Sequence, residues 1–217
     1  LYAGPQDSFV PKSWDVWQRN LRELACEGFI MVKIDGRGTS NRCREFHHFC
    51  YKNLKDAGLP DRIAWIKAAA KAAEPAMDLG RVGIFGGSAG GQNAMGALLF
   101  HGDFYRAAAA DCGCHDNRMD KLWWNEQWMD WPVGPEYADN SNLTHAAKLR
   151  GALLLTVGGL DQNVDPASTL QVVKALVDAD KEFEFMIFPH MGHGCGESGY
   201  GRTLRARFFK RHLGGPG

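Results

Sequence analysis

Between an apolar run, Arg81-Val82-Gly83-Ile84-Phe85, and a helix-forming run from Gln92 to Phe100 lies Gly86-Gly87-Ser88-Ala89-Gly90. A chain that turns this abruptly from strand into helix passes through strained, crowded backbone, which small residues tolerate best. The G-x-S-x-G spacing puts a serine at the apex of that turn, with its hydroxyl clear of the sheet. The feature constrains the fold strongly. It requires a strand whose C-terminal end opens onto free space and a helix packed directly behind it.

The rest of the sequence supplies matching units. Residues 29–35 and 107–111, the run Ala152-Leu153-Leu154-Leu155-Thr156-Val157 and residues 183–188 read as strands. The unbroken apolar run is expected of a strand buried on both faces. Residues 14–26, 61–73, 166–178 and 202–213 read as helices, the first with Trp14, Trp17, Leu21 and Leu24 on one face. Asp61 is expected to cap the second. Alternating strands and helices predict an α/β fold: a mostly parallel sheet with helices on both faces. The 217 residues suffice for one such domain.

Lys+Arg and Asp+Glu number 25 each, so bulk charge gives no drive toward nucleic acid or an anionic membrane. No apolar run reaches the length of a membrane span. Leu1-Tyr2-Ala3-Gly4-Pro5 reads as a strand end entering a loop. The chain, 1–217, is therefore expected to be one domain cut from a longer protein, with early strands of the sheet missing. None of the six cysteines forms a C-x-x-C pair, and Cys112-Gly113-Cys114-His115 lacks the second half of a structural zinc site. No metal and no cofactor are expected. A disulfide such as Cys43–Cys50 stays open.

A serine hydroxyl needs a base, a carboxylate to orient it and donors for the oxyanion. With the elbow first, the order is Ser, then Asp or Glu, then His. Asp161 and Asp165 both follow the buried strand at 152–157, but Asp165 precedes Pro166 and reads as a helix cap. His193 and His190 both follow the strand at 183–188, and glycines on each side of His193 give its loop freedom. Oxyanion donors would be the N–H of Ala89 and, since Pro5 has none to give, the hydroxyl of Tyr2. The segment 116–131 breaks the rhythm and holds Trp123, Trp124, Trp128 and Trp131. It is expected to form helices over the strand ends, with Trp124, Trp128 and Trp131 at helical spacing. Its indoles read equally well as core or as a pocket wall.

Tyr2-Ala3-Gly4-Pro5, Asp35-Gly36-Arg37-Gly38, the elbow at 86–91, Asp161-Gln162-Asn163-Val164 and His193-Gly194 occur in this order along nearly the whole chain. Together they resemble the α/β-hydrolase domain of the prolyl oligopeptidase family, especially its dipeptidyl peptidase IV branch. The resemblance implies Ser88 as nucleophile, Asp161 and His193 as its partners, Tyr2 as an oxyanion donor, and Asn163 and Val164 at the substrate pocket. Trp124 best matches a pocket tyrosine of that family. It also implies a serine peptidase acting on short peptides through an acyl-enzyme, a preceding β-propeller or a homo-oligomeric partner, and a periplasmic or secreted bacterial location. Two departures stand out: Ala89 replaces an aromatic after the serine, and tryptophan replaces tyrosine in the pocket segment. They keep a carboxylesterase with the same triad as the alternative. A non-catalytic binding domain is disfavoured, because all three triad residues are present.

Overall fold

The computed structural model describes residue 10 and residues 19–73 and 77–214. Four strands, β1 (Val82–Gly87), β2 (Tyr105–Asp111), β3 (Ala152–Gly158) and β4 (Glu184–Phe188), form a parallel sheet in the order β1-β2-β3-β4. The helices are α1 (Arg19–Cys26), α2 (Arg44–His48), α3 (Leu59–Ala72), α4 (Ala89–His101), α5 (Leu122–Met129), α6 (Pro135–Asp139), α7 (Pro166–Asp178) and α8 (Gly199–Leu213). A 3₁₀ segment, Asn142–Lys148, precedes β3.

The two-residue period of a strand sorts the core into two layers. Ala108 and Ala110 of β2, with Leu153 and Leu155 of β3, pack against Leu59 and Ile66 of α3, Met95 and Leu98 of α4, and Val172 and Leu176 of α7. Their neighbours Ala107, Ala109 and Leu154 face the other way, onto Leu24 of α1 and Phe208, Phe209 and Leu213 of α8. Leu155 is fully buried. Truncating such a leucine to alanine costs about 2–5 kcal/mol, transfer and cavity together.

Several expectations are corrected here. Residues 29–35 join no ladder among the described residues. Their alternation is strand-like: Phe29 and Met31 pack toward α8, while Ile30 and Val32 are exposed. A strand needs a hydrogen-bonding neighbour at ladder distance, however, and this segment and β1 both line a cavity of about 680 Å³. Helix α3 begins at Leu59 with Gly58 as its cap. Asp61 does not cap it; its carboxylate takes the backbone N–H of Arg37 at 2.7 Å and the guanidinium Nε at 3.0 Å. That bond pins the Asp35-Gly36-Arg37-Gly38 loop to α3. Helix α5 stops at Met129, leaving Trp131 outside it and exposed, and residues 116–121 form loop rather than helix. All six cysteines are free, so Cys43 and Cys50 are not bonded; the Cys50 thiol donates instead to the His47 carbonyl.

Candidate active site

Ser88 stands between β1 and α4 with φ 59° and ψ −126°. A non-glycine residue there is strained, and strain of that kind persists only when its surroundings fix it. The surroundings do so on both sides: the Ser88 N–H donates to the Asp111 carbonyl at 2.8 Å, and its carbonyl accepts from Gly91 and Gln92 at 2.9 and 3.1 Å. Ala89 opens α4, so its N–H is one of the first-turn donors that a helix cannot bond internally.

The partners come from the loops after β3 and β4. The Asp161 side chain is fully buried, and its Oδ2 pairs with His193 Nδ1 at 2.8 Å. Oδ1 accepts from the backbone N–H groups of Asn163 and Val164 at 2.9 and 3.0 Å. Burial pushes the Asp161 pKa up, but hydrogen bonds from His193, Val164 and Asn163 outweigh it and hold it below its ordinary value. The two loops are zipped together: Gly159 N–H donates to the Phe188 carbonyl and Leu160 N–H to the Met191 carbonyl. Gly158 makes this approach possible, since a Cβ there would lie 2.3 Å from the Gly192 carbonyl oxygen.

Ser88 and His193 line the same large cavity, together with Asp111 and Gly194. Of the two hydrogen bonds expected of a Ser–His–Asp triad, that of Asp161 with His193 is formed, and the Ser88 hydroxyl makes none with His193. Catalytic hydrogen bonds commonly tighten only in the substrate complex. His190 lies exposed in the turn after β4, and Asp165 caps α7 by accepting from the Ala167 N–H.

A feature that sequence reasoning missed lies directly under this histidine. Cys112 and Cys195 are buried with their sulfurs 3.9 Å apart. The two sulfurs lie 3.4 and 3.1 Å from Asp111 Oδ1, and Thr156 Oγ1 donates to that oxygen at 2.7 Å. Hydrogen bonding to Cys112 is the largest influence on His193, and with Asp161 it raises the imidazole pKa from 6.5 to about 9 against burial. The same contacts stabilise the imidazolium that forms when the ring accepts a proton. Within the dithiol, the bond from Cys195 holds Cys112 well below the thiol range, and that bond raises Cys195. Burial, and after it Cys112, pushes Asp111 up to about 6. Among the described residues two groups have donor atoms close enough to share an ion: Asp111, Cys112 and Cys195, and Cys112, Asp161 and His193. The sequence signal was present in Cys195, two residues beyond His193.

The other expected site residues are distributed as follows. Tyr2 lies outside the described residues. Asn163 is exposed, and its carbonyl accepts from Lys121 Nζ at 2.6 Å; Val164 is buried. Through their N–H groups both hold the Asp161 carboxylate. Trp124 is buried in a cluster with Cys50, Leu54, Ala89, Trp128 and Tyr137. It also walls a small recess beside Ala89, Gln92 and Asn93. It is core and wall at once.

A parallel sheet flanked by helices, with a serine elbow and an acid–histidine pair on the loops beyond it, defines the α/β-hydrolase fold. Within that class the chain belongs to the prolyl oligopeptidase family, whose model matches residues 14–216. Dipeptidyl peptidase 8 of Mus musculus and of Homo sapiens are each 30% identical over 199 residues, covering 89% of this chain and 22% of theirs. The crystal structure of Porphyromonas gingivalis dipeptidyl peptidase 4 superposes with a TM-score of 0.75 at 29% identity, over 82% of this chain and 26% of that one. An acylaminoacyl peptidase in complex with Z-Gly-Gly-Phe-chloromethyl ketone shares the fold, with a TM-score of 0.72 at 22% identity over 84% of this chain and 32% of that one. The chain thus spans about a fifth of the length of these curated relatives.

Proposed function

We propose that this chain is the catalytic domain of a serine peptidase acting on short peptides. The observation that supports it most is the 2.8 Å bond between buried Asp161 and His193, a histidine that lines the same cavity as the strained Ser88. Ser88 Oγ attacks the scissile carbonyl and gives its proton to Nε2 of the neutral form of His193, the minority form below the raised pKa of about 9. Asp161 holds the Nδ1–H, fixing the tautomer and stabilising the imidazolium. The oxyanion meets the Ala89 N–H, with the Tyr2 hydroxyl as second donor. His193 then protonates the leaving amine. Water, deprotonated by the same ring, releases the acyl group and regenerates Ser88.

Ser88→Ala should lower kcat by about 10⁴-fold or more on a peptide amide while substrate binding survives. A fluorophosphonate probe should label Ser88 in the parent chain and nothing in the variant. Labelling that persists in the variant would place the nucleophile elsewhere. The placement of Ala89 and Trp124 side by side supports a second reading, a carboxylesterase with the same triad. Comparing a proline-containing amide with a short-chain p-nitrophenyl ester decides between them. Ester turnover without any amide turnover would favour the esterase.

A further inference from the structure

We propose that Asp111, Cys112 and Cys195 form a binding site for a single Zn²⁺ ion, and that an ion held there shuts off the adjacent His193. The proposal starts from how donors from two distant parts of the chain meet. Asp111 ends the β2 strand with Cys112 directly after it, and Cys195 follows His193 by two residues, yet the two sulfurs lie 3.9 Å apart. Two thiolates on one tetrahedral zinc, each bonded at about 2.3 Å, stand about 3.8 Å apart. A disulfide would need the same atoms at about 2.05 Å. The spacing therefore suits a shared ion without rearrangement of the pair.

The carboxylate completes the set. An oxygen and a sulfur on one tetrahedral zinc are separated by about 3.5 Å. Asp111 Oδ1 is 3.4 Å from the Cys112 sulfur and 3.1 Å from that of Cys195, so seating the ion opens the second contact by a few tenths of an ångström. The 2.7 Å bond from Thr156 Oγ1 orients this carboxylate from behind, as outer partners of metal ligands do. Gly196 lets the group sit where it does, since a Cβ there would lie 2.7 Å from the Asp111 carboxylate carbon. Cys112 itself is held at φ 47°, a strained position for a side-chain-bearing residue, which aims its sulfur at the cluster. Soft thiolates select a borderline ion such as Zn²⁺ over Mg²⁺ or Ca²⁺. An entry path exists, because Asp111, His193 and Gly194 line the large cavity.

Both sulfurs bind the ion as thiolates, so the proton that Cys195 carries is released to solvent on binding. It also withdraws Cys112 from His193 and places a dication beside the imidazole, fixing the loop that carries it. The binding site stands without any catalytic assignment; only the inhibition rests on the peptidase reading.

The experiment uses the whole chain, kept reduced with a phosphine. Equilibrium dialysis against Zn²⁺ should find one ion per chain. Cd²⁺ as a substitute should give a thiolate-to-metal charge-transfer band in the ultraviolet. Cys195→Ala should weaken binding by more than the roughly 10-fold that loss of an outer partner costs and should weaken the band of any ion still bound, since Cys112 is then the one thiolate left. Thr156→Val should weaken it less, and the double variant Cys26→Ser/Cys43→Ser should bind like the parent. Zn²⁺ should inhibit hydrolysis reversibly in the parent but not in Cys195→Ala. Absence of stoichiometric binding, or equal binding by Cys195→Ala, would overturn the site. Inhibition undiminished in Cys195→Ala would overturn the coupling to His193. A chain that hydrolyses no substrate at all would count against the peptidase reading, while the dialysis and the Cd²⁺ band would still decide the site.

Discussion

In the loop after β3 both oxygens of the Asp161 carboxylate are occupied, by His193 and by two backbone N–H groups. In the excursion after β2, by contrast, the indole nitrogens of Trp124 and Trp128, both amide atoms of Asn125 and Nε2 of His115 are buried with no protein partner. Leaving such a group unpaired costs about 1–3 kcal/mol. The first region is closed by two of its own backbone N–H groups and a histidine from the loop after β4, and holds a carboxylate in one position. The second spends stability on polar atoms that its own side chains do not satisfy. The orientation of His193 that the proposed mechanism needs thus rests on a closed hydrogen-bond set, and the tryptophan shell on packing.

Substitution can break or sharpen that contrast, beginning with the largest effect. Asp161→Asn keeps the shape of the closed set but reverses the preferred histidine tautomer. It should lower kcat by about 10⁴-fold, close to 5.5 kcal/mol, with little change in the urea midpoint. A loss below tenfold would show that Asp161 is not the orienting acid.

His115 tests the other region through pH. It is fully buried, and burial lowers its pKa from 6.5 to about 4. Between those values the unfolded chain binds the proton and the folded one does not, so stability rises with pH across that window. It is complete above about 6.5 and lost toward 4, amounting to about 3 kcal/mol. Urea unfolding at pH 5 and pH 7 should show a smaller difference for His115→Gln than for the parent. An unchanged difference would assign the slope to other groups. The smallest effect belongs to Asn125→Leu. Removing two unpartnered polar atoms and filling the space with an apolar side chain should be neutral or stabilising, within about 1 kcal/mol. A loss of several kcal/mol would mean that the amide is satisfied in solution and that the contrast is weaker than drawn.

The parts of the molecule legible in the sequence are those whose cause is local. The elbow at Ser88 declares itself through backbone crowding, and Asp165 through the proline after it. The Asp161–His193 pair was narrowed to two residues on each side by position after a strand, and the structure pairs Asp161 with His193. What was not legible depends on chain segments meeting. Residues 29–35 carry a strand's alternation, but a ladder needs a neighbour that no local pattern supplies. Asp61 looked like a cap because it stands near a helix start; its partner, Arg37, is 24 residues away. Cys112 and Cys195 lie 83 residues apart, and only the parallel order of β2 and β3, with the loop after β4, brings them together.

The run of alanines in β2 has a consequence for the nucleophile. Ala108 and Ala110 present only methyl groups to the layer in which α4 packs, and the first turn of α4 follows directly on Ser88. How far the serine stands above the sheet is therefore a matter of thickness, fixed from within the sheet by the smallest side chain that still has a Cβ. One added methylene at either position would act like a shim under the helix. Evolution of this site can thus proceed by volume alone, through residues that never touch a substrate.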